Sequence, residues 1–274
     1  MHTEKKYDLG KDKGTFEKLL EQQTAKEIAG IYGCSQGLVC YYAKKFGIVN
    51  TWRKYNYPDL SPSPELRYLI GVVVGDGSIT KIGSDYAIRL SAKDEEFVVK
   101  FAKTLAIVNR RDSCYPIWRN KRGLLVTTGR SKELYYFIKN VEYYEVIQTY
   151  PHEFIEGFFD SEGSVSKTKK WNSWHITLSN TKLNLIELTQ WMLDNIGIEA
   201  RIYLDKKKGQ KVAKTKWSND KDYYKNFDVY KLQVLAKDNH TFARAIHPAI
   251  VRKKARLQTI LETTKEWKEE VTCP

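Results

Sequence analysis

A chain of 274 residues with 42% hydrophobic and 13% aromatic side chains holds enough apolar material for two or three compact units, which excludes a disordered tail. Its 46 lysines and arginines against 33 acids leave a formal charge of +13, an imbalance that bears on partners and points to a polyanion such as nucleic acid. The longest apolar run, Tyr68 to Gly75, falls well short of the roughly 18 residues a spanning helix needs, and Cys34, Cys40, Cys114 and Cys273 have neither zinc-ligand spacing nor the density of a disulfide framework. No membrane partner is therefore expected. The N-terminus, with His2, Glu4, Lys5 and Lys6, does not read as a signal peptide, so the expected location is intracellular: cytoplasm or nucleoid, or an organelle in a eukaryote.

From Thr15 to Ile48 the pattern is one of short helices with a tight break at Tyr32-Gly33-Cys34. Thr24 and Glu27 form a capping box ahead of Ile28 and Ala29. A second helix is expected after Ser35 as N-cap, running through Val39, Tyr42, Ala43 and Phe46 to a stop at Gly47. The segment resembles the helix-turn-helix units of DNA-binding regulators. That resemblance implies that the second helix presents Gln36, Gly37, Cys40, Tyr41 and Lys44 to the major groove. Pro58, Pro62 and Pro64, with Ser61 and Ser63 between them, then mark residues 56–64 as a linker after a module of residues 1–55.

The rest divides into two halves, 65–150 and 151–274, with one order of elements. In the first, an apolar stretch from Leu66 to Gly77 leads to strands near Ser78 to Lys81 and Tyr86 to Ser91, then a helix from Asp94 to Leu105. Strands near Tyr115 to Trp118 and Leu124 to Thr127 and a helix from Ser131 to Asn140 complete it. In the second, His152 to Gly163 is followed by strands near Ser164 to Lys167 and His175 to Leu178, and a helix from Leu183 to Asn195. Strands near Ala200 to Leu204 and Val229 to Leu235 and a helix near Asn239 to Ile246 follow, with a further helix at the C-terminus. Gly71 and Gly157 lie 86 positions apart, as do Asp76 and Glu162, which is the mark of a duplication. The expected fold is α+β: a pseudo-twofold pair of αββαββα units beside a small all-α module.

Each half opens on a helix that ends in an acid followed by glycine, Gly75-Asp76-Gly77 and Ser161-Glu162-Gly163. Gly71 and Gly75, like Gly157 and Ser161, sit one helical turn apart, and small residues at that spacing let two backbones approach closely. Side by side, the two helices would bring Asp76 and Glu162 together at their C-terminal ends, against both the helix dipoles and each other. Acids placed against their own electrostatics suggest a cation site. Oxygen donors alone favour a hard ion, Mg²⁺ first, with Mn²⁺ or Ca²⁺ able to occupy the same place.

This pair of motifs resembles the signature helices of the LAGLIDADG homing endonucleases in their single-chain form, over roughly Glu65 to Lys254. The resemblance implies that Asp76 and Glu162 bind the metals, with the carbonyls of Gly75 and Ser161. It further implies a β-saddle over double-stranded DNA, a monomer, and a staggered break with each acid serving one strand. Asp160 has Val74 as its counterpart, at a position that is mostly structural in the family. The family's residues around the attacking water fall on Ala92-Lys93 in the first half and on Asn180-Thr181, beside Lys182, in the second. A further family lysine matches Lys253. These differences predict inequivalent sites, with Lys93, Asn180, Lys182 and Lys253 as candidate catalytic residues.

For the saddle, residues that join basic heads to broad apolar bodies are expected to meet DNA. In the first half these are Arg89, Trp118, Arg119, Lys121 and Arg122. In the second they are Lys167, Lys169, Lys170, Trp171, Trp174, Arg201, Tyr203 and Lys216. The reaction implied is sequence-specific, Mg²⁺-dependent double-strand cleavage by an intron-borne enzyme. Two other readings stand beside it: a maturase that binds intron RNA, and a DNA-binding regulator on the same fold without catalysis.

Overall fold

The computed structural model describes residues 13–23, 25–47, 57–149, 151–168, 173–212 and 223–270. It divides the chain into two units, residues 1–56 and 57–274. Lys169, Lys170, Trp171 and Lys216, and Thr24 of the expected capping box, lie outside the described residues.

In the first unit three helices, α1 (Lys13–Gln22), α2 (Ala25–Tyr32) and α3 (Gln36–Lys45), enclose a core of Phe16, Leu20, Ala25, Ile28, Ala29, Val39 and Ala43. Gly33 turns the chain between α2 and α3 at a φ of 58°, a left-handed conformation that glycine adopts without steric cost. Ser35 Oγ then accepts the Leu38 N–H at 3.2 Å and starts α3.

In the second unit Ser63 caps α4 (Pro64–Val74) by accepting the Leu66 N–H at 3.1 Å, and Pro64 supplies the preset φ of a first helical residue. The proline-rich stretch therefore ends as a helix start. Next come β1 (Ser78–Ile82), β2 (Asp85–Ala92), α5 (Glu95–Val108), β3 (Ile117–Arg119), β4 (Leu125–Arg130), α6 (Lys132–Lys139) and the short α7 (Tyr144–Gln148). The second repeat runs through α8 (Pro151–Glu162), β5 (Gly163–Thr168), β6 (Ser173–Asn180), α9 (Leu183–Asn195) and β7 (Ala200–Lys206). It continues with the two-residue strands β8 (Lys211–Val212) and β9 (Tyr223–Tyr224), then β10 (Val229–Val234), α10 (Asn239–Ala245) and α11 (Val251–Glu270).

Two four-stranded antiparallel sheets result, in the matching orders β1-β2-β4-β3 and β5-β6-β10-β7. One face of each sheet is apolar. Ile88, Leu90, Ile176, Leu178, Leu232 and Val234 join a single core with the helices, centred on the packing of α4 against α8. This is the duplicated α+β architecture that the sequence leads one to expect. The pattern does not reveal α7 or the β8–β9 extension, because both are too short for a periodic signal. No described helix is long and apolar enough to cross a membrane.

Candidate active site

The two glycines that allow the helices to meet do so symmetrically. A Cβ on Gly71 would stand 2.2 Å from the Phe154 carbonyl oxygen, and one on Gly157 would stand 2.2 Å from the Tyr68 carbonyl oxygen. Tyr68 and Phe154 are themselves counterparts, so the contact is a local twofold. One turn further on, a Cβ on Gly75 would lie 2.4 Å from the Cβ of Ser161. The next residues, Asp76 and Glu162, are thereby delivered to one place.

Both acids sit where a helix passes almost directly into a strand. Gly77 donates its N–H to the Val72 carbonyl at 2.9 Å, closing α4, and any side chain there would strike Val73. Gly163 is the first residue of β5, and a Cβ on it would collide with the Phe159 ring and carbonyl. The carboxylates consequently stand at the junction of the helix pair with the two sheets.

Electrostatics make the pair costly to ionise. Glu162 is pushed up to about 7, first by burial and then by the charge of Asp76, while the Asn180 hydrogen bond, Lys253 and Lys182 pull it back. Asp76 is also raised, by enclosure of its carboxyl against the protein, with Lys253 opposing. Its residue surface is nevertheless exposed, so water and ions can reach it. Two neighbouring carboxylates held above their ordinary range share a preference for a proton or a cation.

The four candidate catalytic residues are placed unequally. Asn180 donates to Glu162 Oε1 at 2.8 Å, and its own Oδ1 accepts the Lys182 N–H at 2.9 Å. Lys182 is exposed and acts on Glu162 through its charge. Lys93 is exposed with no hydrogen bond or ion pair among the described residues. Lys253 is buried, and its ammonium donates to the carbonyls of Phe159 at 2.6 Å and Asp160 at 2.7 Å, at the C-terminal end of α8. Burial brings it down to about 8. Its charge offsets the negative pole of α8 and acts on the acids through space; two of its three donors are committed to the backbone.

Asp160 has the reciprocal task. Its carboxylate is buried and accepts from Tyr68 Oη at 2.9 Å, the Ala249 N–H at 2.8 Å and the Ile250 N–H at 3.1 Å, at the start of α11. Glu96 takes the Val251 N–H at 2.7 Å, and Arg252 forks onto Asp94 at 3.1 and 3.2 Å. The C-terminal helix is therefore bound to both repeats, with the N–H groups of Ala249, Ile250 and Val251 at its start met by carboxylates. Val74 at Asp160's counterpart position leaves the first repeat without this arrangement.

Strand register sorts the expected DNA contacts. On the outer face of the first sheet lie Arg89, opposite Thr128, and Trp118, opposite Val126. Arg89 lines one open recess with Ser91, Asn120, Lys121, Arg122 and Leu124. Arg119 has the other parity, and its guanidinium donates to the Gly123 carbonyl at 2.7 Å in its own hairpin turn. On the second sheet Arg201 and Tyr203 face outward, opposite Gln233 and Lys231. Lys167 and Trp174 pair with each other and share the parity of Val165 and Ile176, which point to the core. Trp174 packs against that core, and Lys167 lies over its ring at 5.3 Å. An apolar ring on a hairpin is held by the core in preference to solvent, so Trp174 turns inward while Lys167 remains exposed. Outward residues that the sequence reading did not single out are Thr128, Arg130, His175, Lys231 and Gln233; strand alternation gives their side of the sheet but not their partners. In the first unit Gln36, Gly37, Tyr41 and Lys44 are exposed on α3, while Cys40 is half-buried against the core.

Comparison with known proteins finds two family models in tandem. Residues 66–148 match one described as a WhiA LAGLIDADG-like domain, and residues 149–231 match one described as a LAGLIDADG-like domain. An uncharacterised protein of Methanocaldococcus jannaschii is 34% identical over 221 residues, 78% of each chain. Among solved structures, the homing endonuclease I-WcaI bound to its DNA recognition sequence aligns with a TM-score of 0.51 at 16% identity, covering 77% of this chain and 93% of that one. I-DmoI in complex with DNA and Ca aligns with a TM-score of 0.47 at 20% identity, covering 67% and 88%.

Proposed function

The chain belongs to the LAGLIDADG family, and from that premise we propose that it is a sequence-specific endonuclease which cuts both strands of a DNA duplex with a divalent cation, leaving a staggered break. The observation that carries this reading is the meeting of Asp76 and Glu162, two carboxylates raised above their ordinary pKa at the ends of packed helices and beneath basic sheets.

The donor set fits a hard cation. Asp76 and Glu162, with the carbonyls of Gly75 and Ser161, would hold the ion, and among the described residues no group of three or more His, Cys, Asp or Glu side chains is placed to do so. Water and phosphate oxygens would complete its shell, as suits Mg²⁺, with Mn²⁺ or Ca²⁺ able to replace it. Once bound, it would ready a water and stabilise the leaving oxygen. Asn180 orients the Glu162 carboxylate, Lys182 favours its ionised form, and Lys253 holds the end of α8 in position. Arg89, Lys121, Arg122 and Arg201 hold phosphates, Trp118 and Tyr203 cover sugars and base edges, and exposed Lys93 supports the first site. Exposed α3 residues Gln36, Gly37, Tyr41 and Lys44 extend the contact to a second stretch of duplex, and the enzyme acts as a monomer because one chain carries both halves.

A second reading, a regulator that binds DNA and does not cut it, is supported by the WhiA-type match over the first repeat and by Ala92 where the second repeat has Asn180. Selection from a randomised duplex library in Mg²⁺ separates the two. Recovery of a consensus cut in both strands supports the endonuclease. Selective retention of uncut duplex in both Mg²⁺ and Mn²⁺ overturns it in favour of the regulator.

A further inference from the structure

On the outer face of the second sheet, Gln233 of β10 stands directly opposite Thr177 of β6 and Arg201 of β7. Its amide is held from two sides. Nε2 lies 3.1 Å from His175 Nδ1, and Oε1 lies 3.3 Å from Tyr203 Oη. Both holders are themselves fixed. The other ring nitrogen of His175 is 3.2 Å from Ser173 Oγ, and Tyr203 lies beside Lys231, whose ammonium is 5.8 Å from the ring and 2.8 Å from Asp205 Oδ1.

A primary amide has two N–H donors and two oxygen lone pairs. Tyr203 and His175 engage one of each. Turning the amide over, with the imidazole tautomer exchanged, swaps the partners and leaves the same remainder. What stays free is one donor and one acceptor on a half-buried planar group that its neighbours keep from swinging. In the major groove adenine alone presents the complement, an N7 acceptor beside an N6 donor. Guanine offers two acceptors, cytosine a donor, and thymine an acceptor and a methyl group.

We infer that Gln233 is an adenine-reading residue, preset by His175 and Tyr203, which fixes one base pair of the half-site under the second repeat. This rests on the DNA-binding reading above. The first repeat has no such reader, since Thr128 of β4, opposite Arg89 of β2, holds the corresponding place.

The test is affinity selection of randomised duplexes by the full chain in EDTA, so that no strand is cut, for the wild type, Gln233→Ala and Gln233→Glu. Thermal melting checks that these surface variants fold. The wild type should select adenine at one position in the second half-site. Gln233→Ala should lose that preference by about 5- to 150-fold and leave the other positions unchanged. Gln233→Glu, which offers only acceptors, should move the preference to cytosine, whose N4 donates. A Gln233→Ala profile that matches the wild type, or is only uniformly weaker, overturns the inference while DNA binding stands. A wild type that selects no duplex overturns both.

Discussion

Asn180 donates a 2.8 Å hydrogen bond to Glu162, and the residue that ends the corresponding strand of the first repeat is Ala92, which has nothing to donate to Asp76. A donor to a carboxylate favours its ionised form. Asn180→Ala should therefore raise Glu162 further, and Ala92→Asn should bring Asp76 down. Carboxyl titration by carbon NMR on the metal-free protein reads both. An unmoved Glu162 in Asn180→Ala would remove the amide from the site.

Removing charge at constant shape tests the acids themselves. Asp76→Asn and Glu162→Gln should each lower cleavage in Mg²⁺ by orders of magnitude, because a neutral amide is a poor ligand for a hard cation. Duplex affinity, which depends on the basic sheets, should largely survive. Supercoiled-plasmid linearisation beside a gel-shift titration separates the effects, and full linearisation by a folded double mutant would sink the site.

The raised carboxyl has a consequence for stability. Glu162 titrates near 7 when folded against an ordinary value of 4.5, so the folded state holds the extra proton between those values. Its contribution is complete below about pH 4.5 and is lost as pH rises through about 7. The metal-free Glu162→Gln protein should gain stability over wild type as pH is taken from 5 to 8, measured as the difference in melting temperature. A pH-independent difference would contradict the assignment.

Gly71→Ala forces a methyl group to 2.2 Å from the Phe154 carbonyl, and Gly157→Ala does the same against Tyr68. Backbone on the opposing helix cannot yield cheaply, so each should cost about 2–4 kcal/mol in urea unfolding. Gly83→Ala has open space but a φ of 59° in the β1–β2 turn, and should cost about 1 kcal/mol through the backbone alone.

Asp160→Ala would strip the acceptor from two N–H groups and from Tyr68 in a buried place. A loss of about 3 kcal/mol or more is expected, with hydrogen exchange accelerated first across 249–260. Tyr68→Phe removes one of the three bonds and should cost about 1 kcal/mol. Equal effects of the two would argue against the carboxylate as the anchor of α11.

The sequence by itself determined the repeat, the motif glycines and the two acids, because each depends on residues close along the chain: apolar periodicity, a small residue one turn from the next, an acid before a glycine. The succession of strands and helices along the chain followed from the same local signals applied twice, whereas the order of strands within each sheet came from the structure. Only the tertiary structure decided what Lys253 and Asp160 do, since their partners lie about 90 residues away, where linear spacing carries no information. It also decided which large side chains meet solvent. Trp174 and Tyr203 look alike as aromatic residues among cations, yet strand register turns one to the core and the other outward, and a shift of one residue would exchange them. Gln233 was illegible for the same reason: its meaning lies in His175 and Tyr203, which only the pairing of β10 with its neighbours brings within hydrogen-bonding distance.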